Sequence, residues 1–353
     1  MLKMQASPRL HSSRFLKALQ GYQRFLVVMH DNPDPDAIAT AWAIGALIES
    51  KFSQSARLIG GGAIVRAENR HMVDLLRPPI QLVNCIEVPA DSATVLVDCS
   101  FGTTNQLLTR ADVHPVAVID HHENGLRHGT PFVDIRPSVA ASSTIAASYL
   151  REQGVEPGVR LATALVYAIH TETHGNETHY SKLDRSILLW LTERFDPAPI
   201  AEIENAPLPR SYFGELALAM QSTYVYQDVA LCLLPRATGA EIVGEVADLL
   251  IRGEGIRRVL CAAVVQNDVI LSARTERDAE NAAKLIAQAL QGLGGSGGHA
   301  HRAGGKIVGI AREGKVTGVL RDDLRRRWLA ACGMKPEVSG TRLVPAREIV
   351  DNL

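Results

Sequence analysis

The run VVMHDNPDPDA, Val27 to Ala37, constrains this chain more than any other stretch. A hydrophobic segment, Phe25 to Met29, ends in His30. Asp34 and Asp36 follow two residues apart, with a proline on each side of Asp34, and an apolar segment, Ile38 to Ile48, comes next. The pattern reads as a buried strand, a rigid acidic loop and a helix. Proline fixes φ and removes a donor, so the loop keeps one shape. An imidazole and two carboxylates at the mouth of a strand make a donor set for a divalent cation. The plainer reading is that Asp34 or Asp36 caps the helix and His30 is a satisfied polar residue. Alone, the stretch leans to the plainer reading.

Two later segments change the balance. Thr94 to Val97 is a short apolar run ending in Asp98, and Val116 to Ile119 ends in Asp120, His121 and His122. Apolar runs of this length fit strands covered on both faces by helices, as in a parallel α/β sheet. Ligands of such sheets bind outside the carboxyl ends of the strands. One aspartate after a strand is ordinary; three strand ends rich in carboxylate and imidazole exceed what capping accounts for. Asp98, alone at its strand end, suits a bridge between two divalent ions about 3.5–4 Å apart. Mixed His/Asp ligation without thiolate favours manganese, with magnesium, cobalt and zinc as alternatives. A helix over Val159–Ile169 runs into HTETHGN, which puts His170, Glu172 and His174 near one helix end. Ser142 and Ser143 read as N-caps of a helix over Thr144–Glu152, and Ser181 with Asp184 as a capping box for Leu183–Phe195. Gly60, Gly61 and Gly62 read as a strand-to-helix connection, since no P-loop lysine follows them.

The chain has 353 residues, enough for two domains. Pro197, Pro199, Pro207 and Pro209 mark a boundary. The expected division is a catalytic domain over 1–196, a linker with a helix over 197–227, and a second α/β domain over 228–353. The second domain is expected to hold strands at Val229–Leu234, Val259–Val265 and Val269–Ser272, the last two forming a hairpin around Asn267-Asp268. Helices are expected at Ile242–Ile251, Ala279–Leu290 and Arg321–Ala331, with a glycine-rich loop at Gly292–Gly305 and a strand from Lys306. Arg325, Arg326 and Arg327 read as a solvated face ahead of a nucleic-acid contact. A formal net charge of -1 provides no bulk field to recruit a polyanion, so any anionic substrate needs local charges. Five scattered cysteines without a C-x-x-C pair, no signal peptide and no apolar run of about 20 residues suggest a reduced, cytoplasmic protein without membrane contact. No G-x-S-x-G elbow, P-loop or early G-x-G-x-x-G supports a serine hydrolase, ATPase or dehydrogenase.

Taken in order, HDNPDPDA, VLVDCS, VIDHH and a helix running into HTETHGN resemble the DHH phosphoesterase superfamily. SARTERDAENAAKLIAQALQGLGGSGGHAHRAGG resembles its associated C-terminal substrate-binding domain, with a G-G-H signature. The layout is similar to the short bacterial nanoRNase and 3′-phosphoadenosine-5′-phosphate phosphatase group. The resemblance implies that His30, Asp34 and Asp98 bind one metal and that Asp36, Asp98 and His121 bind the other. It implies that Asp120 orients His121 from behind and that His122 meets the scissile phosphate or leaving group. Where the family's fourth motif has an aspartate, this chain has Glu172, one methylene longer. Arg274, Gly297, Gly298 and His299 match the residues that hold the substrate's far phosphate.

The leading expectation is a phosphoesterase with two divalent ions, manganese foremost, acting on short oligonucleotides, dinucleotides or bisphosphorylated nucleosides, and a homodimer is allowed. Phosphoanhydride hydrolysis and nucleotide binding without turnover are the alternatives.

Overall fold

The computed structural model describes residues 10–103, 105–122, 129–173, 180–298, 300–309, 318–335 and 337–345. The chain divides into two compact units, Met1–Ala206 and Pro207–Leu353.

The strands of the first unit are β1 (Arg24–Val28), β2 (Ala56–Gly60), β3 (Ile80–Leu82), β4 (Ser92–Val97), β5 (Ala117–Asp120) and β6 (Phe132–Ile135). Its helices are α1 (His11–Ala18), α2 (Pro35–Phe52), α3 (Ala67–Leu76), α4 (Leu107–Arg110), α5 (Ser142–Glu152), α6 (Val159–Thr173), α7 (Lys182–Leu191) and α8 (Pro197–Glu204). The six strands form one sheet in the order β3-β2-β1-β4-β5-β6, and every pairing is parallel. β4 is buried along its whole length, which explains its unbroken apolar run. One face carries the main core, where α2 packs against α5 and α6 through Ala41, Ile44 and Ile48. The other face is covered more thinly, by α4 and loop side chains such as Val83 and Phe101 over Leu26, Val28 and Leu96. The order reverses between β1 and β4, the switch point where such sheets bind ligands.

The second unit has strands β7 (Thr223–Tyr226), β8 (Val229–Leu234), β9 (Arg258–Val265), β10 (Asp268–Thr275), β11 (Gly295–Gly298), β12 (Arg302–Ile307) and β13 (Thr341–Arg342). Its helices are α9 (Arg210–Ser222), α10 (Glu241–Leu250), α11 (Ala282–Ala289) and α12 (Gly318–Ala331). The sheet runs β11-β12-β10-β9-β8-β7-β13, with β8 and β9 parallel and the other pairs antiparallel. Residues of α9 and α10 pack on one face, and those of α11 and α12 on the other.

Several expectations need adjustment. The β9–β10 turn lies one residue early: Gln266 takes the left-handed conformation at φ 56 before Asn267, and β10 already begins at Asp268. The glycine-rich segment expected as a loop contains two strands. β11 pairs with β12 through backbone alone, Gly297 opposite Gly304 and Gly298 opposite Ala303. Gly298 has φ +140, and a Cβ there would lie 2.5 Å from the Ala303 Cα, so only glycine fits. Among the described residues, no helix is long and apolar enough to cross a membrane.

Candidate metal centre

The residues after β1, β4 and β5 meet at the switch point. His30 leaves the end of β1, and its Nδ1 lies 2.8 Å from the Asp31 carbonyl oxygen. A donor at Nδ1 turns Nε2 toward the carboxylates, 3.8 Å from Asp34 and 3.5 Å from Asp98 Oδ2. Asp34 also caps α2, accepting from the Ala37 N–H at 3.0 Å, so the capping and site readings of this residue hold together.

The acidic loop is braced from outside. Arg110 of α4 clasps Asp31 with both terminal nitrogens, at 2.5 and 2.9 Å. Asn32, in the left-handed conformation, donates its N–H to the Gly61 carbonyl and accepts from the Ala63 N–H. A Cβ at Gly61 would collide with the Asp31 carboxylate, and one at Gly62 with the Asn32 side chain. The glycine turn is thus a close-packed support for the loop.

Asp98 sits just past β4 with φ 55, a conformation aspartate tolerates better than most residues. Its two carboxylate oxygens face opposite ways. Oδ1 accepts from the Ser142 hydroxyl at 2.9 Å and lies 3.5 Å from His121 Nε2, while Oδ2 faces His30. Asp36, on the first turn of α2, accepts the backbone N–H groups of Ser142 and Ser143, each at 2.8 Å, and lies 3.9 Å from His121 Nε2. Ser142 and Ser143, expected as helix caps, form the first turn of α5, whose N-cap is Ala141 without a side-chain bond. They present the helix N-terminus to these carboxylates, which favours negative charge there. Nothing local in the sequence reveals this role.

Asp120 meets the His121 backbone and the His122 ring. Its Oδ1 lies 2.7 Å from the His122 Nδ1 and accepts from the backbone N–H groups of His121 and His122. It therefore orients His122. The His121 ring is bonded to the Val139 carbonyl instead, which leaves Nε2 for Asp36 and Asp98. Glu172 is half-buried on the last turn of α6, and its charge helps to raise His122. His170 is exposed on the same turn, and His174 lies outside the described residues.

The electrostatics are those of a cation site. Burial and the neighbouring charge of Asp36 push Asp98 up to about 6; burial and the charge of Asp34 push Asp36 up to about 6. Burial would raise Asp34, but the facing His30 outweighs it and holds the carboxyl at about 2. Burial lowers His121. For His30 and His122 burial is outweighed by the facing carboxylates: His30 is raised well above its ordinary value, and Asp120 with Asp98 brings His122 to about 9. Two sets of donor atoms, His30/Asp34/Asp98 and Asp98/His121/His122, each lie within 4.8 Å of one another and share Asp98. Crowded, buried carboxylates that repel one another, facing imidazole nitrogens, fit one or two divalent cations.

In the second unit, Arg274 does not present an open fork. Its Nε and one terminal nitrogen bond Asp248 at 2.6 and 3.3 Å, and the other terminal nitrogen bonds the Ser272 hydroxyl and the Ala273 carbonyl at 2.7 and 2.9 Å. Its side chain is 12% exposed. The arginine expected to grip a phosphate is committed to an ion pair, with Arg302 reaching the same Asp248 oxygen at 3.1 Å. Gly297 and Gly298 lie on the edge strand β11; His299 lies outside the described residues.

Residues 24–169 match the DHH family, N-terminal domain. The chain is 31% identical over 321 residues to an uncharacterized protein of Methanocaldococcus jannaschii; the alignment takes in 88% of this chain but only 65% of that protein, so the chain spans less than two thirds of that relative's length. Among solved structures, an exopolyphosphatase-related protein from Bacteroides fragilis is similar in fold, with a TM-score of 0.70 and 14% identity, over 94% of this chain and 99% of that one.

Proposed function

With residues 24–169 forming a DHH-family N-terminal domain, we propose that the chain belongs to the DHH phosphoesterase superfamily and hydrolyses phosphate esters with the help of divalent cations. The single observation that carries this reading is Asp98, whose two oxygens face His30 on one side and His121 on the other. His30, Asp34 and Asp98 would hold one cation. Asp36, Asp98 and His121 would hold a second, with Glu172 at it or one water away. Manganese is the ion we assign first. Bound there, divalent ions lower the pKa of a water and offset the charge on phosphoryl oxygens.

The chain's own residues supply the rest. Ser142 and Ser143 fix Asp98 and Asp36 in direction. Asp120 sets the orientation of the His122 ring and keeps it protonated at neutral pH. A protonated imidazole of this kind can give its proton to the leaving oxygen, the role of a general acid.

We assign the substrate to short oligonucleotides, dinucleotides or bisphosphorylated nucleosides. A nearly neutral chain needs focused donors for such anions; the second unit's candidates are the Gly297–Gly298 edge and Arg302, Arg274 being committed to Asp248. The alternative is phosphoanhydride hydrolysis, the activity in the name of the Bacteroides fragilis protein. At 14% identity that likeness speaks for the fold, so the ester reading leads.

The test is a panel assay of the full chain with Mn²⁺, using a dinucleotide, adenosine 3′,5′-bisphosphate, pyrophosphate and polyphosphate. Metal-dependent release from the first two, and not from the anhydrides, is expected. Turnover confined to pyrophosphate or polyphosphate would replace the ester reading, and no turnover on any of them would overturn it.

A further inference from the structure

The arginines of α12 do not share one fate. Arg326 and Arg327 both pair with Asp323, at 3.4 and 2.8 Å. Arg321 and Arg325, one helical turn apart, border a cavity of about 340 Å³ together with Tyr224, Tyr226, Leu231 and Leu233. Arg321 reaches the Leu233 carbonyl at 3.4 Å, and Arg325 bonds the Tyr226 hydroxyl. The tyrosine ring centroids are 6.5 Å apart with the planes tilted by 31°, so the rings do not stack on each other. The Arg342 guanidinium lies 5.5 Å over the Tyr224 ring and holds it in place. The cavity therefore has aromatic and leucine walls and two guanidiniums at its border.

We propose that this cavity binds one nucleoside monophosphate unit, its base against the half-buried Tyr224, with the buried Tyr226 only as wall, and its phosphate on Arg321 and Arg325. The volume is near the lower end of small-molecule cavities, roughly 300–1,000 Å³, which suits one nucleotide better than two. Aromatic side chains accept any base by its face, and paired guanidiniums match phosphate oxygens. Asp322, the one acid in the lining, leaves the border net positive and offers an acceptor to an exocyclic amine. The cavity is separate from the Arg274 ion pair. Leu231 packs with Leu324 and Trp328 on the α12 face, whereas Arg274 bonds Asp248 of α10, which packs on the opposite face of the sheet. The inference stands on this geometry and not on the phosphoesterase reading.

The test uses the full chain stripped of divalent ions with a chelator, so that the first unit cannot gather phosphate through a metal. AMP, adenosine, inorganic phosphate and the dinucleotide pApA are titrated by calorimetry. Photolabelling with 8-azido-AMP and peptide mapping locates the site. AMP is expected to bind saturably, with adenosine, phosphate, Arg321→Ala and Tyr224→Ala each about tenfold weaker, the scale of one stacked base or one charged contact. Arg326→Ala serves as the unaffected control. The label is expected on the peptide carrying Tyr224. Tighter binding of pApA than of AMP would identify the unit as the end of an oligonucleotide; equal binding, as a free mononucleotide. If Tyr224→Ala fails to fold, Arg321→Ala decides, because its side chain is exposed. Absence of saturable AMP binding, binding untouched by Arg321→Ala, or label only on other peptides overturns the proposal.

Discussion

The Asp120 carboxylate holds His122 by its ring, Oδ1 to Nδ1 at 2.7 Å, while the same oxygen accepts both backbone N–H groups of the His121–His122 pair. One fully buried carboxylate thus sets the orientation and the charge of His122. Asp120→Asn keeps the shape and removes the charge. His122 should then titrate well below about 9, toward the ordinary value near 6.5, in an NMR titration of the metal-free protein. Turnover at neutral pH should fall by about 10²–10⁴, the range for a general acid. An unchanged His122 titration would show that the charge comes from elsewhere.

The Ser142 hydroxyl donates to Asp98 Oδ1 at 2.9 Å. Ser142→Ala should lower cation affinity by about 10–100-fold, as loss of a partner behind a ligand does, without unfolding the chain. Calorimetric titration with Mn²⁺ checks it. Affinity equal to that of the unaltered protein would remove Asp98 from the cation site.

Asp36 and Asp98, each raised to about 6, link the cation to pH. In the metal-free protein both carboxyls are higher than their unfolded value of about 3.9. Their contribution to stability is therefore complete below about pH 3.9 and lost as pH rises through about 6. His122 adds a loss of the same sign at higher pH, present below about 6.5 and gone above about 9. A cation needs the deprotonated carboxylates, so its affinity should weaken as pH falls through about 6. Thermal melts with and without Mn²⁺ should show a cation-induced rise in Tm that grows from about pH 5 to pH 8. A rise independent of pH would sink the assignment.

Arg274→Ala should destabilise the second unit by about 1–3 kcal/mol. That lies between values for exposed and for buried pairs, since Arg274 is 12% and Asp248 38% exposed. Urea melts give the number. Asp248→Asn should cost a similar amount, and the double variant less than the sum, because the two share one interaction. Full stability of Arg274→Ala, joined to weaker binding of nucleotides only, would restore its reading as a phosphate arginine.

Much of the first unit could be read from sequence because its information is local. An apolar run ending in Asp98, or in Asp120 and the two histidines, announces both a strand and what stands at its mouth. The supports could not be read that way. Ser142 reaches Asp36 across more than a hundred residues, Arg110 clasps Asp31 from a short helix, and Val139 holds His121 by a backbone carbonyl that any residue would provide. Arg274 stands out by its resemblance to a motif and lies within β10, while its partner Asp248 sits inside α10 with nothing nearby to mark it. Glycine's low strand propensity hid β11, a strand that uses no side chains.

The adjacency of β1 and β4 also bears on how the chain reaches its native state. Val28 and Leu96 are register partners, yet α2, β2, α3 and β3 lie between them in the chain. His30 and Asp98 can face each other only after that long loop has closed, and closing long loops before the contacts reward it is slow. Cation capture should thus come late in folding, after the centre of the sheet has paired. Divalent ions added during refolding should therefore slow unfolding much more than they speed folding.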